Sequence, residues 1–259
     1  MRSLVEMARW RNAGHALAPY LILARVAGVD DDEAFRLWQA GDRESVLAKV
    51  AAGDWASLAR YRDANIALGA PAPGETRVVF MGNSITEGWA PHFATMFSGK
   101  SYVGRGISGQ TTPQMLVRFR QDVIALEPAV VVILAGTNDI AGNTGPSTLE
   151  MITDNLASMA ELAQANGIRV VLASVLPVFD YPWKPGLEPA PKIVALNAWI
   201  ERYAASHGMV YLDYHSAMAD ARQGLRAELS GDGVHPNEAG YRVMAPLAEG
   251  AIARALGRE

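Results

Sequence analysis

The sequence predicts a three-layer α/β/α sandwich on a mostly parallel five-stranded sheet, preceded by a helical N-terminal extension. Three observations carry this. Short apolar runs without polar alternation recur after residue 75, as strands buried on both faces require. Helical periodicity fills the intervals between them. Strand–helix alternation then implies right-handed βαβ crossovers with helices on both sides of the sheet.

The elements follow in order. Residues 1–70 read as all-helical, with Asp30–Asp32 able to cap one helix and residues 53–54 starting another through Trp55, Leu58, Tyr61 and Ile66. Residues 69–74 (GAPAPG) read as a linker, which places a second domain at 75–259. Strands are expected at 77–81 (RVVFM), 101–103, 130–135 (VVVILA), 169–174 (RVVLAS) and 209–213 (MVYLD). Helices are expected at about 114–126, 148–166, 190–207 and 237–256, the middle two stopped by Gly167 and Gly208.

Composition narrows the function classes. Half of the residues are hydrophobic, enough for a sizeable core, and the formal net charge of −4 offers no basic stripe for nucleic acid. No cysteine is present, so disulfides, thiolate metal sites and a cysteine nucleophile are excluded. No stretch of 18 apolar residues suggests a membrane span. Arg2, Arg9 and Arg11 precede a short apolar run at 16–24, a loose likeness to a signal peptide. Glu6, Pro19 and Arg25 oppose it, so a structural helix and a cytoplasmic location are expected; a signal peptide would imply a periplasmic or secreted protein.

Ligands in open parallel sheets bind beyond the C-terminal strand ends, so the strand exits hold the chemistry. Asp232 precedes His235 by three residues in a glycine-containing loop. That spacing lets the carboxylate fix the imidazole tautomer and leaves the other nitrogen as a general base. Asp232 could instead cap the next helix, whose first turn Pro236 suits. Ser84 lies on a strand-to-helix turn, as a nucleophile would, although serine there also suits an N-cap. Gly106 and Gly109 follow the short second strand, where glycine lets backbone approach a substrate. Asn138 leaves the central strand; its amide could donate to an oxyanion or close an Asx-turn. The G-x-S-x-G elbow and the H-E-x-x-H metal motif are both absent.

Four blocks in this order resemble the SGNH hydrolases, or GDSL-type esterases and lipases: 82–86 (GNSIT), 105–112 (RGISGQTT), 136–139 (GTND) and 232–236 (DGVHP). The resemblance covers about residues 75–256 and implies a flavodoxin-like fold. It implies Ser84 as nucleophile, Asp232 and His235 as acid and base, and an oxyanion hole of Ser84, Gly109 and Asn138. Asn83 departs from the family's usual aspartate. The expected activity is hydrolysis of short-chain carboxylic esters, acetyl esters of carbohydrates or aryl esters among them. A lysophospholipase or thioesterase of the same family is the alternative, as is a non-catalytic carbohydrate- or lipid-binding module. Asn83, Trp89, Tyr181 and Trp183 are the expected substrate contacts. Neither metal nor cofactor is expected, the expected partner is a small-molecule ester, and the N-terminal helices are a candidate homo-oligomer contact.

Overall fold

The computed structural model describes residues 53–258. The chain divides into two compact units, Met1–Ser57 and Leu58–Glu259, and the second holds the sheet. The expectations for residues 1–52, including the signal-like run and the oligomer contact, lie outside the described residues. Just beyond them, the helix expected from residue 54 is interrupted. Ser57 has left-handed backbone (φ 55), and regular helix begins only at Arg62.

The strands are β1 (Val78–Gly82), β2 (Tyr102–Gly106), β3 (Val130–Leu134), β4 (Arg169–Ala173) and β5 (Val210–Leu212). All pairings are parallel, in the order β2-β1-β3-β4-β5. The helices are α1 (Arg62–Leu68), α2 (Ser84–Trp89), α3 (Phe93–Met96), α4 (Thr112–Asp122), α5 (Thr137–Ile140), α6 (Leu149–Ala165), α7 (Pro189–Ser206), α8 (His215–Met218) and α9 (Glu238–Ala255). None of the described helices is long and apolar enough to cross a membrane.

Strand alternation splits the core in two. Val79, Met81, Val131, Ile133, Val170 and Leu172 face one side, against Met115 and Phe119 of α4, Leu156 of α6 and Leu196 of α7. Val78, Phe80, Val130, Val132, Val171 and Leu212 face the other, against Ile85 and Trp89 of α2 and Met244 and Ala248 of α9. With both faces covered, every residue of β1 and β3 is buried, which is why these strands read as unbroken apolar runs.

The strand order reverses between β1 and β3, the crevice where such sheets bind ligands. Gly82 pairs in register with both Gly106 and Leu134, so β1, β2 and β3 end level. Pro236 was expected in the first turn of the last helix. That helix begins instead at Glu238, with Asn237 as its cap, and Pro236 remains in the loop.

Candidate active site

Asn83 ends the turn after β1. Its Oδ1 accepts the N–H of Ile85 at 3.2 Å and so caps α2. Ser84 is thereby relieved of the capping role and becomes the first helical residue, where a backbone N–H has no intrahelical acceptor. The turn is tight: a Cβ on Gly82 would stand 2.0 Å from Thr86 Oγ1. Ser84 Oγ lies 2.9 Å from His235 Nε2, across 151 residues of sequence.

The imidazole is held from its other side, where His235 Nδ1 lies 2.7 Å from Asp232 Oδ2. Asp232 Oδ1 accepts the backbone N–H groups of Val234 (2.9 Å) and His235 (2.8 Å). This network assigns the proton to Nδ1 and leaves Nε2 to accept from the Ser84 hydroxyl. Burial pushes the Asp232 carboxyl up, but the side-chain and backbone hydrogen bonds from His235, its charge and the Val234 N–H together hold it well below the usual carboxylate range. Capping of α9 falls to Asn237, whose side chain accepts from Gly240 N–H, so Asp232 is left to the histidine. Ser230 Oγ donates to the His235 carbonyl at 2.7 Å and accepts from Gly233 N–H at 2.9 Å, bracing the loop.

The loop after β2 is fixed by its neighbours. Ile107 N–H donates to the Gly82 carbonyl at 3.2 Å, and Gln110 N–H to that of Ile107 at 3.3 Å. Gly109 sits between them with φ 78, a conformation that disfavours other residues. Asn138, buried at the start of α5, donates one amide hydrogen to the Gln110 carbonyl at 2.8 Å. An amide carries two such hydrogens, so one remains for a ligand. Next to it, Asp139 accepts the N–H of Thr112 (3.0 Å) and its hydroxyl (2.6 Å). Burial pushes the Asp139 carboxyl up against these bonds.

Beneath this rim lies Arg118 on α4, fully buried. Its Nη2 donates to the Gly82 and Arg105 carbonyls, both at 2.9 Å, and Nε to Gln110 Oε1 at 2.6 Å. Its Nη1 meets Asp122 Oδ2 at 3.0 Å, an ion pair with both side chains at 0% exposure. One guanidinium thus ties the ends of β1 and β2 to the following loop. Neither residue lies in a motif. The available signal was two opposite charges inside the apolar stripe of Met115 and Phe119.

The expected substrate contacts divide. Trp183 is half-buried, its ring centroid 6.1 Å from that of His235. Tyr181 is fully buried beneath it, the phenol donating to the Thr137 carbonyl at 2.8 Å. Trp89 is core, stacked on Tyr241 at 5.6 Å and packed edge-on against Phe80 and Phe93. Asn83 is 1% exposed and occupied as a cap. Asn83, Trp89 and Tyr181 are therefore buried, and of the four expected contacts Trp183 alone is partly exposed. Of the other described histidines, His92 lies against the Tyr241 ring, His207 stacks on Tyr203, and His215 is buried.

This sheet order, with serine, histidine and aspartate in line at the rim, is the architecture that the four sequence blocks imply. Residues 80–243 match the model of the GDSL-like lipase/acylhydrolase family, and the chain belongs to that family of ester-cleaving proteins. It is 48% identical to a GDSL-like lipase of Bacteroides thetaiotaomicron whose crystal structure is known; the match covers 77% of this chain and 98% of that one, with a TM-score of 0.74. An acetylxylan esterase of Xylanibacter ruminicola is 27% identical over 220 residues, 70% of this chain but only 44% of the relative, so the chain spans less than half of that protein. Esterase TesA of Pseudomonas aeruginosa is 27% identical over 172 residues, covering 63% of this chain and 77% of that protein.

Proposed function

We propose that this chain is a serine esterase that cleaves short-chain carboxylic esters through an acyl-enzyme on Ser84. The observation that carries the reading is the continuous line Ser84 Oγ–His235 Nε2–His235 Nδ1–Asp232 Oδ2, with steps of 2.9 and 2.7 Å. A binding module has no need of it.

In this mechanism His235 Nε2 takes the Ser84 proton as Oγ attacks the ester carbonyl. The N–H groups of Ser84 and Gly109 and the second amide hydrogen of Asn138 receive the charge that develops on the carbonyl oxygen. Donors already fixed in place pay little reorganisation cost as that charge forms. His235 then protonates the leaving alcohol, activates a water, and the acyl-enzyme is hydrolysed. Asp232, anionic throughout the working range, stabilises the imidazolium without taking its proton.

An acetyl group on a carbohydrate is the substrate class we favour, supported by the acetylxylan esterase relative and by the Trp183 ring beside His235. A flat aromatic face suits stacking on a sugar ring. Hydrolysis of p-nitrophenyl esters from C2 to C12, run beside acetylated xylan, tests the class. A rate that rises with chain length favours a lysophospholipase or thioesterase instead. For the mechanism, Ser84→Ala is expected to abolish p-nitrophenyl acetate hydrolysis without lowering the melting temperature. Turnover near wild type in that variant sinks the reading.

A further inference from the structure

We propose that Glu87 is a positioning residue whose carboxylate holds the Gly109 N–H turned toward the oxyanion. The proposal rests on the serine-esterase reading above. Glu87 lies on α2 three residues after Ser84, so one short helix carries both side chains on adjoining faces. Its Oε2 accepts the Ser108 N–H at 2.8 Å and also the Ser108 hydroxyl. Its Oε1 accepts from Arg60 Nη2 at 3.0 Å.

The Ser108–Gly109 peptide is the unit that matters, because Gly109 N–H belongs to it. Rotating that plane changes ψ of Ser108 and φ of Gly109, and glycine adopts either sign of φ at little cost. Backbone preference alone therefore does not hold the N–H inward. A flipped plane would present the Ser108 carbonyl oxygen to the developing negative charge. The structure holds the peptides on either side of that plane: Glu87 accepts the N–H of the Ile107–Ser108 peptide, and Asn143 Nδ2 donates to the carbonyl of the Gly109–Gln110 peptide at 3.2 Å, so the plane between them cannot turn without straining one of these bonds. A carboxylate makes the stronger, charge-assisted form of such bonds and can take two donors on one oxygen.

The spacing behind this clamp is also fixed. A Cβ on Gly106 would stand 2.2 Å from the Glu87 N, so α2 sits directly on the end of β2. Glu87 thus reaches Ser108 from a backbone with no slack, and the distance from nucleophile to loop is set by one rigid element.

Steady-state kinetics with p-nitrophenyl acetate, together with inhibition by phenylboronic acid, tests the role, since the boronate forms a tetrahedral adduct on the serine. In Glu87→Ala, kcat is expected to fall about 10- to 100-fold, less than or comparable to loss of a whole oxyanion donor. KM should stay within about twofold, and the boronate Ki should rise by the same factor as kcat falls, as loss of transition-state stabilisation requires. Glu87→Gln keeps one acceptor oxygen and should recover most of the loss. A folded Glu87→Ala with intact kcat, or a kcat loss with unchanged boronate Ki, overturns the proposal. If Glu87→Ala does not fold, Glu87→Asp takes its place, since a carboxylate one methylene shorter draws back from the Ser108 N–H: a parallel change in kcat and Ki supports the clamp, and wild-type kinetics overturn it. Ser84→Ala is measured alongside. If that variant is dead while Glu87→Ala is fully active, only the clamp fails; if Ser84→Ala turns over, the esterase reading itself fails.

Discussion

The two halves of the site are built in opposite ways. Asp232 and His235 come from one loop, three residues apart, and their side chains are 44% and 38% exposed. Nearly every bond that shapes this pair lies within residues 230–236. The Ser84, Gly109 and Asn138 half is assembled from three strand exits over a buried polar network. There Arg118 reaches Gly82, Arg105, Gln110 and Asp122, and Asp139 reaches Thr112. The contrast suits the two tasks. In the proposed mechanism the proton carrier needs one orienting partner and access to water, whereas the oxyanion donors must keep their places as charge develops. Disturbing the first half should therefore damage chemistry with little effect on stability, and disturbing the foundation of the second should damage both.

The largest effect is expected on the local half. Asp232→Asn keeps a carbonyl oxygen for the Val234 and His235 backbone N–H groups, so the loop should stay folded. The amide cannot favour the Nδ1–H tautomer as a carboxylate does. We expect kcat to fall by about 10⁴-fold, the scale seen when a triad aspartate is so replaced. The melting temperature should move by no more than a few degrees. A loss below tenfold would show that the loop, rather than the carboxylate, orients His235.

Next in size is the foundation. Arg118→Met removes one partner of a fully buried ion pair; Asp122 keeps the Asn65 amide and the Gly82 carbonyl keeps the Ile107 N–H, but the Asp122 charge and the two strand-end carbonyls lose the guanidinium that joins them. Breaking such a pair typically costs about 3–5 kcal/mol. For a domain of this size that is a fall of about 10 °C in melting temperature. Activity should fall with it, since Gly82 and the 107–110 loop lose their common anchor. The double variant Arg118→Met/Asp122→Leu, which leaves no lone charge, should regain much of the stability but little of the activity. If Arg118→Met melts like the wild type, the buried network is not a foundation.

The same contrast explains what could be read from the sequence. Parallel strands buried on both faces are runs such as 130–134, visible without context, and the helices between them carry their own periodicity. The Asp232–His235 pair was legible because the contact is local. Ser84 and Asn138 were legible only as members of an ordered set, because each residue type also suits a cap or a turn. Arg118 and Asp122 were barely legible: their place in the stripe of Met115 and Phe119 is the only hint, since at i, i+4 they otherwise look like an exposed helical pair, and it is the packing of α4 under β1 and β2 that buries them. Trp89 and Tyr181 went the other way. Aromatic residues near the motifs suggest a pocket wall, but the first closes the aromatic cluster around Phe80, and the second is pinned under Thr137. Burial of a single aromatic is set by the tertiary partner, which local spacing does not reveal.

The smallest expected effect separates the two histidines that follow β5. His235 is half-exposed with both ring nitrogens engaged, whereas His215 is buried with Nε2 lacking a partner. Burial holds the His215 imidazole below its ordinary value of 6.5, with the Asp213 charge opposing this. The sign follows from linkage. Between that lowered value and about 6.5, the unfolded chain binds a proton that the folded chain does not. The stabilising contribution is therefore complete above about pH 6.5 and declines as pH falls below it. Carboxylates held down by their partners, such as Asp232 and Asp220, titrate below about pH 4, and Asp139, pushed up by burial, is common to both proteins and cancels when the wild type is compared with a His215 variant. Melting curves at pH 7 and pH 5 should show a steeper acid-side decline for the wild type than for His215→Gln, by roughly 2–4 °C for each kcal/mol of linked stability. Equal declines would mean that His215 takes up its proton as readily in the folded chain as in the unfolded one.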